Sequence, residues 1–154
     1  MKIYKLEVEQ RLPIPLAEAW EFFSDASNLS RITPPSLGLT VTSDLPERTY
    51  PGAIITYDVR PFPGATVTWV TEITHVVEPH LFVDEQRFGP YRFWHHQHHF
   101  QEIPGGVEIR DLVHYALPLE PAGRLVRRWM VEPRLREIFE FRRGVLAELF
   151  GTLD

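Results

Sequence analysis

Cysteine is absent from the 154 residues of this chain, which excludes disulfide bonds, thiol nucleophiles and metal sites built on thiolates. Long apolar runs are absent as well, since none reaches the roughly 18–20 residues that a membrane-spanning helix requires. Residues 1–10 alternate charged and apolar side chains, unlike the apolar core of a secretory signal. We therefore expect a cytoplasmic protein without an integral membrane segment.

An excess of basic charge is also missing, because 16 Lys and Arg residues face 21 Asp and Glu residues and the formal net charge is −5. This balance argues against a general nucleic-acid or anionic-membrane binder, although it excludes neither. The sequence also lacks a serine nucleophile elbow, a glycine-rich phosphate loop and a Walker motif. Several common enzyme and nucleotide-binding classes are thereby disfavoured.

The composition is that of one soluble domain spanning residues 1–154, with 44% hydrophobic and 24% charged residues. Alternation of apolar and polar side chains predicts a first strand over residues 2–10, and helical spacing predicts a helix over Leu16–Ser24. Residues 25–28 break this helix and can cap a second, short helix that ends at Pro34-Pro35. Further strands are predicted over residues 39–42, 53–60, 66–77, 81–88, 93–100 and 107–117.

Helical spacing returns between Gly123 and Phe150. Pro133 must kink or split this segment, because its ring clashes with the preceding turn and it lacks an N–H. We predict a short helix before Pro133 and a long one from about Arg134 to Phe150. The order of elements implies an α+β fold, in which a curved antiparallel sheet of about six or seven strands wraps the last helix.

The most informative stretch contains four histidines within the five residues 95–99. Side chains of a strand alternate between two faces, so these histidines divide into two pairs. One face brackets two imidazoles with large apolar rings, which is typical of a pocket wall: Trp94, His96, His98 and Phe100. The other face is expected to point to solvent: His95, Gln97 and His99.

Hairpin turns on both sides set the register of this strand. If Pro104-Gly105 is a two-residue turn, Asp111 lies opposite His98, and a three-residue turn at residues 89–91 places Asp84 opposite His96. One face then collects Phe82, Asp84, Gln86, Trp94, His96, His98, Phe100, Ile109, Asp111, Val113 and Tyr115. Two alternatives stay open. A one-residue slip at the Gly89 turn would place Val83 and Glu85 on this face instead of Asp84 and Gln86. In the other alternative, the polar residues form a buried network whose only role is to set the register.

The order of elements resembles the helix-grip fold of the START-like (SRPBCC) superfamily, which includes pollen allergens, lipid-transfer domains and aromatic polyketide cyclases. Nearly the whole chain is similar to a bacterial, ligand-binding or cyclase/dehydrase-like group within it. The matching motifs are Asn28–Pro35 (NLSRITPP), Phe82–Gln86 (FVDEQ), Gly89–Tyr91 (GPY), Trp94-x-His96-x-His98-x-Phe100, Asp111 with Tyr115–Pro118 (YALP), and Ile138-Phe139 with Arg142. Some relatives carry an epimerase-like domain that is absent from this sequence. The resemblance thus implies an epimerase-like partner, and homodimerisation stays open.

The resemblance implies a cavity between the concave sheet and the last helix that binds or transfers a small hydrophobic ligand, such as a lipid, a polyketide or an aromatic compound, without a cofactor. Aromatic lining would supply most of the affinity. Arg142 can bind a carboxylate or phosphate bidentately, although a surface ion pair with Glu137, Glu140 or Asp154 is an alternative. The predicted ligand-binding residues are Trp69, Phe82, Asp84, Gln86, Trp94, His96, His98, Phe100, Asp111, Val113, Tyr115, Phe139 and Arg142.

An enzyme of the cyclase or dehydratase type is the first alternative function. His98 would be the general base and Asp111 would orient its ring and raise its basicity. Asp84 or Tyr115 would polarise a carbonyl oxygen.

A metalloprotein is the second alternative. His96, His98 and Glu102 share one strand face, and imidazole is a common ligand of transition metals. The ligand-binding function itself requires no metal and no catalytic residue.

Overall fold

Seven strands form one antiparallel sheet in the order β1-β7-β6-β5-β4-β3-β2. The computed structural model describes residues 1–118 and 122–154. The strands are β1 (Tyr4–Leu12), β2 (Thr40–Val41), β3 (Ile54–Phe62), β4 (Ala65–Val77), β5 (Leu81–Phe88), β6 (Phe93–Ile103) and β7 (Gly106–Ala116). Every neighbouring pair is antiparallel. The predicted antiparallel sheet of six or seven strands is confirmed.

Three short helical elements follow β1, and the first two of them were predicted. Helix α1 spans Leu16–Ser24, and a 3-10 helix over Ala26–Ile32 and a second over Pro35–Leu37 follow it. The Asp25 carboxylate caps the first 3-10 helix by accepting a hydrogen bond from the Ser27 N–H at 3.0 Å. A side-chain oxygen at this position satisfies a backbone donor that has no partner inside the helix.

The C-terminal helical region consists of α2 (Gly123–Val126), a π-helical turn (Arg127–Val131) and α3 (Glu132–Phe150). Pro133 lies in the first turn of α3, where a missing N–H removes no helical hydrogen bond. The predicted break at this proline takes the form of the π turn before it, in which the Glu132 N–H bonds the Arg127 carbonyl oxygen. The long helix is confirmed, but a split into two separate helices is not, because α2, the π turn and α3 follow one another without a gap.

The β6–β7 hairpin has the predicted register, with Ile103 opposite Gly106 and His98 opposite Asp111. Gly105 adopts φ +84° in the turn, a conformation that glycine reaches without steric cost. A Cβ atom at Gly106 would lie 2.0 Å from the Leu12 carbonyl oxygen, so only glycine lets β7 begin this close to β1. The β5–β6 pair is also in the predicted register, without the one-residue slip.

Two apolar clusters fill the concave side of the sheet, and α3 contributes to both. The first packs α1 against the sheet and includes Leu12, Trp20, Phe82, Phe100, Ile109 and Leu146. The second lies beneath the start of α3 and includes Tyr4, Trp94, Val113, Tyr115, Leu135 and Phe139. Within the described residues, no helix is long and apolar enough to cross a membrane.

Candidate functional site

A cavity of about 200 Å³ lies on the concave side of the sheet. Its lining is mostly apolar and comes from the middle of the sheet and from the helical elements that cover it. The strands contribute Tyr57, Trp69, Thr71, Phe82, Asp84, Trp94, His96 and His98, among others. The helical elements contribute Phe23, Leu29, Ile32, Leu135, Ile138, Phe139 and Arg142, among others. The fold therefore encloses the space that the resemblance implied.

A buried polar group, here named the His–Asp cluster, borders this cavity and consists of Asp84, His96, His98 and Asp111. His98 Nε2 lies 2.6 Å from Asp84 Oδ2, and His96 Nε2 lies 2.8 Å from Asp111 Oδ1. The two remaining ring nitrogens face the other carboxylates, at 3.5 Å for His96 Nδ1 to Asp84 and 3.2 Å for His98 Nδ1 to Asp111. Each imidazole thus lies between two carboxylates.

The shortest contacts in the cluster are diagonal, and they add to the expected pairing of His98 with Asp111, whose Nδ1 and Oδ1 atoms lie 3.2 Å apart. Those two residues are opposite each other in the register, and in addition Asp111 bonds His96 and His98 bonds Asp84. The rings pack closely here, because the centres of the two imidazoles lie 3.8 Å apart at a tilt of 34° and Phe82 stacks on His98 at 4.1 Å. Diagonal neighbours on adjacent strands are within reach of side chains of this length.

The environment separates the pKa values of the two imidazoles. Burial, the largest single influence, lowers the pKa of both, because it disfavours the charged ring. Hydrogen bonds and negative charge from Asp111 and Asp84 outweigh burial at His98, whose pKa is raised above 6.5. At His96, burial and the positive charge of His98 prevail, and the pKa is lowered. His98 therefore keeps its proton to higher pH than His96.

Both carboxylates of the cluster stay ionised. Burial, again the largest influence, raises the pKa of Asp84 and of Asp111, but the histidines outweigh it and hold both pKa values below the usual 3.8. Arg142 adds positive charge, with Nη1 4.0 Å from Asp111 Oδ1. Arg142 and the raised pKa of His98 both place positive charge beside the two carboxylates.

Apart from His98 Nδ1, which faces the Asp111 carboxylate at 3.2 Å, three polar atoms on side chains that line the cavity form no hydrogen bond within the described part of the chain: Trp69 Nε1, Arg134 Nε and Arg142 Nε. All three atoms are buried. A buried polar group without a partner costs roughly 1–3 kcal/mol, so such groups concentrate where a ligand supplies the partner.

Arg142 occupies the cavity wall rather than the surface. Its residue exposure is only 8%, and its guanidinium packs over the ring of Phe139 at 5.1 Å. Glu137, one of the proposed surface partners, pairs instead with Arg134 at 2.8 Å. The alternative of a surface ion pair is therefore wrong for Arg142.

Eight of the thirteen predicted ligand-binding residues line the cavity: Trp69, Phe82, Asp84, Trp94, His96, His98, Phe139 and Arg142. Gln86 does not, because β5–β6 pairing stops at Glu85 and the Gln86 amide bonds the backbone of Tyr91 at 2.7 and 3.1 Å. Phe100 does not, because it packs edge to face on Trp20 in the core.

Three more predicted residues lie behind the lining. Val113 and Tyr115 belong to the apolar cluster beneath α3, where Tyr115 packs against Tyr4 at 5.6 Å. Asp111 contacts both histidines from β7 and holds them without lining the cavity itself. Asp111, Val113 and Tyr115 are buried because they lie on the inner face of the sheet, as predicted. That face extends beyond the cavity, so these three residues do not line it.

Sequence reasoning missed Tyr57, which lines the cavity and whose hydroxyl lies 2.8 Å from Thr71 Oγ1. Tyr57 lies opposite Trp69, a residue that was predicted. Counting back from the Phe62–Ala65 pair would place Val70 opposite Tyr57. The observed partner is Trp69 because the register shifts between Val59 and Phe62. A β-bulge of this kind reverses the face of every residue behind it.

The metal-binding alternative requires a different third residue. Among the described residues, Asp84 joins His96 and His98 as the group whose ligand atoms lie within 4.8 Å of one another, and Glu102 is exposed. Hydrogen bonds to carboxylates already engage both imidazoles, and Arg142 supplies positive charge nearby. The arrangement favours protons over a divalent cation, because a second positive charge would meet repulsion in a buried site.

The sequence matches the family described as polyketide cyclase / dehydrase and lipid transport over residues 12–140. A comparison with curated proteins gives no significant match. Among solved structures, the chain is similar to the Zhui aromatase/cyclase of a Streptomyces species, with a TM-score of 0.73, 13% identity and coverage of 96% of this chain and 93% of that one.

Two further structures show how widely the fold is shared. Protein TTHA0849 of Thermus thermophilus has a TM-score of 0.71, 18% identity and coverage of 94% and 95% of the two chains. Ara h 8.0201 has a TM-score of 0.64, 15% identity and coverage of 96% and 99%. At such identities the likeness establishes the helix-grip fold alone. With the family match over most of its length, the chain belongs to the polyketide cyclase/dehydrase and lipid transport family.

Proposed function

We propose that this protein binds a small aromatic or polyketide-like ligand, whose oxygen atoms accept hydrogen bonds at the polar end of the cavity. The observation that carries the proposal is the set of three buried polar atoms without a partner on residues that line the cavity. A ligand oxygen beside Trp69 or Arg142 supplies the missing acceptor and recovers the penalty of leaving these donors unpaired.

The size of the cavity supports a small ligand. A volume of about 200 Å³ is below the roughly 300–1,000 Å³ of pockets that take drug-sized molecules. One or two fused rings suit such a space better than a long acyl chain. Edge-to-face packing of Trp94 on Trp69, at 5.3 Å and 89°, provides an aromatic wall for these rings.

The charge of the cavity supports an acidic or carbonyl group on the ligand. Arg142 presents a planar guanidinium that matches a carboxylate or an enolate in geometry and charge. Its nearest carboxylate, Asp111, stays 4.0 Å away and already bonds His96. The arginine is therefore available to a ligand anion, while the histidines balance the carboxylates below it.

Fluorescence titration tests the proposal, because Trp69 and Trp94 line the cavity and report on binding. The probes are naphthoic acid, naphthol and methylnaphthalene, which differ in their oxygen atoms but keep the two rings. We expect naphthoic acid to bind most tightly and to lose roughly tenfold or more in affinity in Arg142→Gln, since a charge-assisted hydrogen bond is lost.

Arg143→Gln is the matched control, because Arg143 is the next residue of α3 but is exposed and bonds the Glu9 carbonyl oxygen. It should leave all three affinities unchanged. Equal affinity for the acid and the hydrocarbon in wild type and in Arg142→Gln would contradict the proposal.

Dehydration or cyclisation of such a ligand is a second candidate function. The separated pKa values of His96 and His98 favour it, because a neutral base beside a protonated acid is the arrangement that acid–base catalysis needs. The roles differ from the sequence-based hypothesis, since His98 is the better acid and His96 the better base. Tyr115 takes no part, because it lies outside the lining.

For a β-hydroxy carbonyl compound, the two histidines suffice for loss of water. Neutral His96, which donates Nε2–H to Asp111, takes the proton from the carbon beside the carbonyl through Nδ1. His98 protonates the hydroxyl group, the C–O bond breaks, and water leaves as the C=C bond forms. Arg142 stabilises the enolate oxygen that develops during this step.

Product formation from a β-hydroxy aromatic ketone, followed by absorbance of the conjugated product, tests this candidate. Turnover should fall at least a hundredfold in His96→Gln and in His98→Gln, because acid–base groups contribute roughly 10²–10⁴-fold. His95→Gln, from the opposite face of β6, is the control. Stoichiometric binding without turnover would mean that the protein binds the ligand but does not convert it.

Homodimerisation, an epimerase-like partner and a cytoplasmic location stay predictions.

A further inference from the structure

The helical segment before α3 exposes an unusually apolar surface. Leu125, Val126, Trp129 and Met130 are exposed by 67%, 41%, 69% and 45%. Their spacing places them on one side of the helix, which we call the Trp129 face, while Gly123 and Val131 are buried against the protein. Exposed apolar side chains that occur singly need no explanation, but four on one short face indicate an interaction surface.

The same segment concentrates positive charge in an otherwise acidic chain. Residues 122–136 contain five arginines and one glutamate, whereas the whole chain has a formal net charge of −5. Arg124 and Arg128 form no ion pair within the described part of the chain and flank the Trp129 face. The Arg128 guanidinium lies 5.8 Å from the centre of the Trp129 ring. The surface is therefore apolar at its centre and cationic at its margin.

We propose that the Trp129 face docks on an anionic lipid surface. Tryptophan and aliphatic side chains enter the boundary between head groups and acyl chains, and arginines reach the phosphates beside them. The negative charge on the rest of the protein is repelled by such a surface, which orients this face toward it. A protein partner would need an apolar patch rimmed with acid, whereas an anionic bilayer provides both features everywhere.

The position of the Trp129 face connects docking with the cavity. A surface groove runs between Met130 and the turn of the β3–β4 hairpin, and Arg134 and Pro61 line both this groove and the cavity. Docking would bring this edge of the cavity next to the lipid, from which an apolar ligand can partition. The docking itself does not depend on which ligand the cavity takes.

Co-sedimentation with vesicles tests the proposal on the full chain. The vesicles contain phosphatidylcholine alone or with phosphatidylglycerol, and we expect binding only with phosphatidylglycerol and less binding as salt increases. Trp129→Asp should lower the partition coefficient at least roughly tenfold, and Arg128→Glu should lower it by a similar factor through lost attraction. Both residues are exposed, so neither change disturbs the core.

Two controls match these variants in exposure and chemistry. Phe88→Asp removes an aromatic ring that is exposed by 64% on β5, and Arg92→Glu reverses an exposed arginine before β6. Neither should change vesicle binding. Equal binding to both vesicle types, or equal losses in the controls, would overturn the proposal. It would also be overturned if Trp129→Asp changed the oligomeric mass in light scattering while wild type ignored vesicles.

The outcome is separable from the proposed ligand binding. Trp129 does not line the cavity, so Trp129→Asp should bind naphthoic acid in solution as wild type does. Failure of docking with intact ligand binding would reject the lipid surface alone. Loss of naphthoic acid binding in this variant would show that the Trp129 face belongs to the cavity, and would reject the docking surface as a separate site.

Discussion

The two faces of β6 carry the same residue type in opposite surroundings. On the inner face, His96 and His98 are buried between two carboxylates. On the outer face, His95 stacks on Phe93, and His99 pairs with the amide oxygen of Gln97 at 2.9 Å. The pKa of His99 is lowered, chiefly by partial burial and by Arg110, whereas the pKa of His98 is raised. The pKa values of these neighbouring imidazoles shift in opposite directions because two carboxylates contact His98, whereas burial and Arg110 outweigh the carboxylates that act on His99.

The outer face did not turn out as fully exposed as predicted. His95, Gln97 and His99 are only partly exposed, because side chains from β5 and β7 flank them across the sheet. The face assignment is confirmed, since alternate residues of β6 are buried from Trp94 to Phe100. Burial alone therefore does not create a candidate functional site. The site depends on the carboxylates that contact the buried imidazoles from neighbouring strands.

The largest difference between the faces should appear when a carboxylate is removed from each. Asp111→Ala removes one of the two carboxylates that face the buried His98 charge, and we expect a loss of roughly 3–5 kcal/mol in the free energy of unfolding. Glu108→Ala removes a surface partner of Arg11 from the same strand and should cost less than about 1 kcal/mol. Urea unfolding measures both. Similar losses for the two variants would mean that the cluster behaves as a surface pair.

A milder change separates the two faces by titration. Asp111→Asn should lower the pKa of His98, because a negative charge that favours the protonated ring is lost. It should also weaken a ligand held at the cluster by roughly 1–3 kcal/mol. Glu7→Gln is the matched change near His99 and should leave the His98 titration unaltered. NMR titration of the imidazole signals decides between them, and an unmoved His98 pKa in Asp111→Asn would contradict the cluster.

The pH dependence of stability should have opposite signs on the two faces. The folded-state pKa of His98 is raised above 6.5, so its contribution is complete below that pH and is lost as pH rises through the folded pKa. The pKa of His99 is lowered, so its contribution is present above 6.5 and is lost as pH falls through the folded pKa. Unfolding midpoints of His98→Gln and His99→Gln relative to wild type, measured across pH, should therefore diverge. Parallel curves would show that the carboxylates do not act on His98.

The smallest effect is expected from the outer histidines themselves. His95→Gln should change the free energy of unfolding by no more than about 0.5 kcal/mol, as surface substitutions usually do. Ligand affinity should be unchanged, because His95 does not line the cavity. Calorimetric binding and urea unfolding of the same sample check both statements. A loss of affinity in His95→Gln would show that the two faces communicate across the strand.

Local signals predicted much of the fold. The Pro104-Gly105 turn determined the β6–β7 register, and through it the position of Asp111 opposite His98. Helix α1 begins and ends where its apolar spacing predicts. These features depend on neighbours in the chain, and turn chemistry and side-chain periodicity report them directly.

The β-bulge before the β3–β4 turn is a feature that local sequence signals did not predict. Pro61 lies in the stretch where the register shifts, and the shift brings Trp69 rather than Val70 opposite Tyr57. Proline favours such irregular positions because it has no N–H for the ladder, but the sequence does not state how many residues the irregularity holds. One side of the cavity was therefore out of reach of pattern reasoning.

By itself, the sequence determined the α+β architecture, the histidine face that points inward and the carboxylates that accompany it, because alternation and turn geometry act between neighbours. Only the tertiary structure decided that His98 bonds Asp84 in addition to its contact with Asp111, that Arg142 is buried beside the cluster, and that Asp111, Val113 and Tyr115 lie behind the lining. Those outcomes depend on ring stacking, on the packing of α3 across the sheet and on how far the cavity extends. Each of these is a distance between residues that are far apart in the chain, and no local pattern encodes it.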